Sequence, residues 1–398
     1  MTSSPQAPAT TSPVTLTRPP FALAASSFVS SFDRFAVTPI LVLIALGLGV
    51  PLSAAVAVAS GYFLAYGLSQ VLWGVLSDRY GRVRIMRVAL LGATATGVAS
   101  ALAPNLAALL AARVVAGACF GAIVPTSLTY LGDTVAASRR QRALSDLMAV
   151  QAVGTALATA VGGGLGHLAG WRMVFAVPAV CAAICAVALR GLPEPPREAV
   201  GGLLTHLGTV LRQRWALLLF ALACVEGGVL LGTMTFLASA LEHHGVGAGI
   251  AGLATAAYGV SVGVLSQLVK RLSRSWRVWW LICAGGTQMC AGYALVATNV
   301  NTWTVVITAL LLGGGWAFMH SSLQTWATLV VPEARGTAMA FFAAAMFVGS
   351  AVASGAAGPL AQHQLYPILF GIAAGLTAPL TVIATITRRR YHAAREQA

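Results

Sequence analysis

The sequence predicts an all-α integral membrane protein of twelve transmembrane helices, arranged as two pseudo-symmetric six-helix bundles. Three observations predict it. Charged residues make up 9% of the 398-residue chain and hydrophobic ones 58%, whereas a soluble domain carries roughly 25% charge to cover its wet surface. The apolar residues fall into stretches long enough to cross about 30 Å of hydrocarbon as helices. The basic residues alternate: of the 24 Lys+Arg, all but Arg34, Arg113 and Arg172 lie in every second connection or at the termini, the positive-inside pattern.

That alternation also interprets the net charge of +14. A nucleic-acid binder gathers its cations on one patch, but here they form short clusters between apolar spans. The expected partner is the lipid bilayer, and no nucleic acid is expected. An even number of crossings puts both termini in the cytoplasm, and a multi-pass protein of the plasma membrane (the bacterial inner membrane) is the expectation.

The elements follow in order. Residues 1–20, rich in Ser, Thr and Pro with one basic residue, Arg18, read as a disordered cytoplasmic tail. No cleavable leader is apparent, so the first span is expected to serve as the insertion signal. The first bundle, 21–190, holds spans at 21–47, 53–77, 84–103, 105–131, 141–168 and 171–190. Residues 191–214 form a cytoplasmic linker with Pro193, Pro195, Pro196, Glu194 and Glu198, and a short interfacial helix is expected over Leu203–Leu211. The second bundle, 215–387, holds spans at 215–240, 248–270, 278–298, 302–331, 335–361 and 364–387. Residues 388–398 close the chain as a second cytoplasmic tail. All six cysteines lie within spans without metal-ligand spacing and read as packing residues.

The two bundles repeat each other. Tyr66-Gly67-Leu68-Ser69 with Asp78-Arg79-Tyr80-Gly81-Arg82 recurs 192 positions on as Tyr258-Gly259-Val260-Ser261 with Lys270-Arg271-Leu272-Ser273-Arg274. Arg140, Ala143, Gly154, Ala156 and Gly163 match Arg335, Ala338, Gly349, Ala351 and Gly358, each 195 positions on. A parallel repeat of this kind places the axis along the membrane normal, and such transporters bind their cargo near the midplane between the repeats.

The connection after the second span reads Gly74-Val75-Leu76-Ser77-Asp78-Arg79-Tyr80-Gly81-Arg82-Val83-Arg84. It is similar to the G-x-L-[SA]-D-R-x-G-R-[KR]-x signature of the major facilitator superfamily, and the resemblance covers nearly the whole chain. Gly74 is expected to let two helices approach, Gly81 to permit a tight turn, and Asp78 to sit at a neighbouring helix N-terminus. The resemblance implies a conformational latch of Gly74, Asp78, Arg79, Gly81 and Arg82 between the second and eleventh spans, stabilising an outward-open state, with Asp133 as a further partner. The fourth span, Leu110-Ala111-Ala112-Arg113-Val114-Val115-Ala116-Gly117, is similar to the L-x-x-x-R-x-x-x-G pattern of the twelve-helix drug/proton antiporter branch. That resemblance implies a proton-coupling role for Arg113. The fifth span keeps Gly154 and Gly162-Gly163-Gly164, but Ala158-Thr159-Ala160-Val161 stands where that branch has a Gly-Pro pair.

Ionisable groups at mid-membrane are costly and are functional candidates for that reason. Asp33 and Arg34 lie roughly 18 Å into the first span, and Glu226, 193 positions after Asp33, lies at a similar depth in the seventh. Asp33, Glu226 and Arg113 are the candidate proton-coupling residues. Neighbours on a helix diverge by about 100°, so Arg113 is a better partner for Asp33 than Arg34 is. Candidate cavity residues are Arg34, Tyr62, Tyr66, Tyr258, Trp316, His320 and Gln324. The tyrosines would supply an aromatic wall, and His320 either a group titrating near neutrality or a hydrogen-bonded packing residue.

The reading is a proton-coupled secondary transporter that exports a small organic compound by alternating access. Its alternative is proton-coupled or facilitated uptake of a sugar or organic anion held by Arg34 and Arg113. The partners are a small-molecule substrate and protons, and a monomer is expected. No cofactor or metal is expected: His243 and His244 beside Glu242 are too few for a site. The lone lysine, Lys270, sits in nothing like a phosphate-binding G-x-x-x-x-G-K-[ST] loop, so this chain is not expected to be an ATP-driven pump. Nor is it expected to be an enzyme, because the spans hold no nucleophile–base or metal constellation.

Overall fold

A computed structural model describes residues 18–195 and 203–396. Most of the first predicted tail, and Pro196 and Glu198 of the linker, lie outside them. Among the described residues 12 helices are long and apolar enough to span a membrane. They are α1 (Phe21–Leu48), α2 (Leu52–Tyr80), α3 (Arg82–Ala101), α4 (Leu106–Thr134), α5 (Ser138–Ala169) and α6 (Trp171–Gly191), then α7 (Arg214–His243), α8 (Ala248–Leu272), α9 (Val278–Thr298), α10 (Thr302–Val330), α11 (Pro332–Gln362) and α12 (Tyr366–Tyr391). A linker helix, Leu203–Arg212, packs against α7 and the start of α11. The last helix continues beyond its span to Glu396.

Matched residues perform matched tasks in the two halves. Asn105 caps α4 by accepting a bond from the Ala108 amide at 2.9 Å, and Asn301 caps α10 by accepting from the Thr304 amide at 3.0 Å, each satisfying an otherwise orphaned donor. Gly154 of α5 lies where a Cβ would press on the Phe28 carbonyl of α1 at 2.9 Å. Its repeat mate Gly349 of α11 lies against the Cys224 carbonyl of α7. The glycines let those backbones approach where a larger residue would hold them apart, which is how helices associate when lipid offers no hydrophobic drive.

Several helices are broken rather than continuous. Pro39 sits in a 3-10 turn, Thr38–Ile40, that bends α1. Helices α7 and α10 each widen into a π-helical turn, Gly228–Gly232 and Trp316–His320.

The halves meet along two seams, α2 with α11 and α5 with α8. At the face away from the basic connections, Ser53 N–H donates to Gln362 Oε1 at 3.2 Å, and Ser60 and Ser354 share a hydroxyl bond of 2.8 Å. On the other seam Gly163 lies on the Ala248 carbonyl, Gly252 on that of Thr159, and Gly259 on Ala156. Toward the basic face these partners run out. A Cβ added at Gly74 of α2, Gly263 of α8 or Gly336 of α11 would meet no atom within 4 Å. Among the described residues the side-chain hydrogen bonds between α2 and α11 lie toward the far face.

Candidate substrate and proton site

Two buried acid–base pairs sit at the centre, one in each half. In the first, Arg113 of α4 donates from Nη1 to Asp33 Oδ1 at 3.0 Å and from Nη2 to Oδ2 at 2.8 Å. A further bond of 3.3 Å reaches the Asp33 carbonyl. The side chains are 0% and 2% exposed. The guanidinium lies over the rings of Tyr62 and Phe175, 4.5 and 4.7 Å from their centroids. A planar fork on a carboxylate is the strongest geometry such a pair adopts, and it confirms the geometric expectation that Asp33 would turn to Arg113.

Arg34, one residue on, points elsewhere. Its Nη1 reaches Tyr66 Oη at 3.4 Å, and its guanidinium sits 4.8, 5.2 and 5.7 Å from the rings of Phe35, Tyr66 and Phe347. The Phe347 ring comes from α11, so Arg34 stands at the boundary between the halves. Tyr258 of α8 completes the group from the other side, with its ring 6.4 Å from that of Phe35. It lies within electrostatic reach of both Arg34 and Glu226.

In the second half, His320 Nδ1 lies 3.2 Å from Glu226 Oε2, with the side chains 4% and 0% exposed. The imidazole is stacked on Trp316 at 3.8 Å and lies 5.6 Å from Phe342 of α11. Both π-helical turns adjoin this pair. A π-bulge inserts one residue into a turn and rotates the side chains that follow, which is why such turns recur at functional sites. Glu226 keeps its other oxygen, Oε1, buried without a partner. Gln324, one turn beyond His320, is partly buried and joins none of these contacts among the described residues.

The loop after α2 makes a compact network. Arg82 pairs with Asp78, reaches Asp133 of α4 at 3.2 Å and donates to Ser77 Oγ at 2.9 Å. Arg79 is exposed and lies 5.3 Å over the Tyr80 ring. Gly81 has φ +104°, a conformation that side chains disfavour, as its predicted turn requires. Two expectations need correction. Gly74 makes no close approach: a Cβ there would meet no atom within 4 Å. Asp78 is paired with Arg82 rather than placed at a helix N-terminus. That place at α3 belongs to Glu194 from the linker, whose two oxygens accept from the Val83 and Arg84 amides at 3.1 and 3.2 Å. The sequence places Glu194 only in the linker. The signal for it was a helix beginning at once after Gly81 with basic residues and no capping residue of its own. Among the described residues, the loop's ion pairs all stay within the first half.

Twelve spans in two repeated halves, with two buried charged pairs, one in each half, define a polytopic helical membrane protein. The chain belongs to the Major Facilitator Superfamily, whose model matches residues 23–354 and, in a second match, 233–398. Its relatives are transporters, including ones of the drug-efflux type. A triacylglyceride transporter of Mycolicibacterium hassiacum is 34% identical over 38% of this chain and 30% of its own length. Quinidine resistance protein 1 of Saccharomyces cerevisiae is 29% identical over 37% of this chain and 29% of its own. The chain thus spans about a third of these curated relatives. An uncharacterised transporter of the superfamily from Bacillus subtilis matches more evenly, 26% identical over 73% of this chain and 74% of its own. Among solved structures, the nucleoside transporter NupG superposes with TM-score 0.76 at 16% identity, covering 92% of this chain and 99% of that one. The xylose transporter XylE from E. coli, in a partially occluded inward-open conformation, gives 0.73 at 16% identity over 93% and 97%. These two likenesses establish the fold alone.

Proposed function

We propose that the chain is a proton-coupled secondary transporter that exports a small organic, partly hydrophobic compound by alternating access. The observation that carries this reading is the buried Glu226–His320 pair. An arginine does not give up its proton in proteins, whereas an imidazole does. Of the two central pairs, only Glu226–His320 can therefore gain and lose a proton without coming apart. Asp33 becomes a proton acceptor only when Arg113 releases it, which assigns Asp33 and Arg113 to the step in which helices α1 and α4 shift. The positive-inside pattern puts both termini in the cytoplasm and makes the basic face the inner one. The signature loop would then tighten between α2 and α11 when that face closes.

The test is proton movement in proteoliposomes carrying a pH-sensitive dye. Quinidine is the first compound added, because the yeast relative's name points to it. Substrate-dependent flux should be lost in Glu226→Gln and reduced in Asp33→Asn, and its sign fixes the direction. Flux unchanged in both variants would end the coupling role of these acids. One observation favours uptake of an organic anion instead: among the described residues Arg34 has no acidic partner within ion-pair distance.

A further inference from the structure

The charges at mid-membrane do not cancel where they stand. Asp33 is fully engaged by Arg113, through both oxygens and its carbonyl. Glu226 belongs to the other half and is engaged by His320. Asp78 and Asp133 lie at the basic face on Arg82. Arg34 is left over. Among the described residues no carboxylate stands within ion-pair distance of it. Its polar contact is the Tyr66 hydroxyl at 3.4 Å, a neutral group, and its Nε is buried without a partner. Aromatic faces attract a guanidinium, yet they carry no charge to neutralise it. A cation at this depth is costly unless a counter-ion meets it, and the structure supplies none.

The surroundings describe what would. Arg34 is partly exposed. Around it stand Phe35, Tyr66 and Phe347, with Tyr258 beyond Phe35. The titratable or charged neighbours are Asp33 on α1, Tyr62 and Tyr66 on α2, and Tyr258 on α8. One unneutralised fork bordered by flat apolar rings matches one carboxylate on a flat apolar body.

We propose that Arg34 is the specificity-determining residue of the transport site, receiving the carboxylate of a monovalent organic anion whose flat apolar body lies among Phe35, Tyr66, Tyr258 and Phe347. The proposal rests on the transporter reading for its purpose, but the recognition it describes is a binding property and is testable without transport.

The probes are benzoate, its neutral counterpart benzamide and its cationic counterpart benzylammonium. Binding is followed on the purified full chain by the fluorescence of the tryptophans, Trp316 among them. Benzoate should bind roughly tenfold to a hundredfold more tightly than either counterpart, the range of a charge-assisted fork. Arg34→Gln should abolish that preference while leaving the benzamide signal in place, and Arg34→Lys should restore part of it. A merely structural role for Arg34 would weaken all three probes together. Equal binding of the three by the unaltered protein, no binding of benzoate, or a benzoate preference that survives Arg34→Gln would each overturn the proposal. Benzoate binding that depends on Arg34 without benzoate-driven proton flux in liposomes would leave the recognition standing and reject proton coupling.

Discussion

Breaking the Asp33–Arg113 pair should cost far more than removing it. Both side chains are essentially unexposed, and each is the other's neutraliser at a depth without water. Asp33→Leu leaves a buried guanidinium with only aromatic faces for company, and Arg113→Met leaves a buried carboxylate. Each single change is expected to lower stability by about 3–5 kcal/mol. At roughly 2–4 °C per kcal/mol for somewhat shorter chains, that is a fall of roughly 10 °C in the thermal midpoint, or less in a chain of this length. The double variant removes both charges and fills much the same volume with apolar atoms. It should recover more than half of the loss. The assay is thermal unfolding of the detergent-purified protein in a double-mutant cycle. A double variant whose loss equals the sum of the two single losses would refute the reasoning, because the pair would then carry no coupling energy.

Other outcomes follow from the same geometry. Glu194→Ala should free the first amides of α3, raising hydrogen exchange at Val83 and Arg84 and lowering stability by about 1 kcal/mol. Gly81→Ala should cost about 1–2 kcal/mol from its positive φ, and deleting the Glu194 side chain should not rescue it. Gly349→Val should prevent recovery of monodisperse protein, because its Cβ would meet the Cys224 carbonyl, while Gly371→Val, with open space around it, should be tolerated in the same gel-filtration assay. Cysteines at Ser60 and Ser354, whose hydroxyls are 2.8 Å apart, placed in a chain lacking its native cysteines, should oxidise to a disulfide. That bond should hold the far face shut and stop transport until a reductant is added; transport that continues after full oxidation would show that this seam does not part.

Most of the fold was legible because lipid imposes strict rules. Span length, cation alternation and the 192- and 195-residue repeats are all one-dimensional signals, and the twelve spans agree with them to within a few residues. The pairing of Asp33 with Arg113 was legible too, since helix geometry turned Arg34 away. What escaped depended on local departures from the regular helix. The π-helical turns at Gly228–Gly232 and Trp316–His320 leave no periodic mark in an apolar sequence. They help bring His320 to Glu226, although its repeat equivalent is Pro125 and nothing in the first half corresponds. Phe342 and Phe347 were invisible for another reason: an aromatic residue in an apolar span looks the same whether it faces lipid, a neighbour or a cavity. Glu194 was visible as a residue, but its reach across the loop to α3 was a tertiary fact.

The seam between α5 and α8 has a mechanical meaning. Where Gly163, Gly252 and Gly259 meet Ala248, Thr159 and Ala156, the surfaces in contact are largely bare backbone. Among the described residues no ion pair crosses this seam, so parting the halves there would resemble the separation of smooth plates. Resistance to opening comes from dispersion spread evenly along the seam, and it rises with the length in contact rather than at one snapping point. The charged contacts of the signature loop, by contrast, lie within the first half among the described residues and add nothing across this seam. A seam built like this should respond to changes of lipid packing, whereas changes of salt should act on the loop's ion pairs inside the first half.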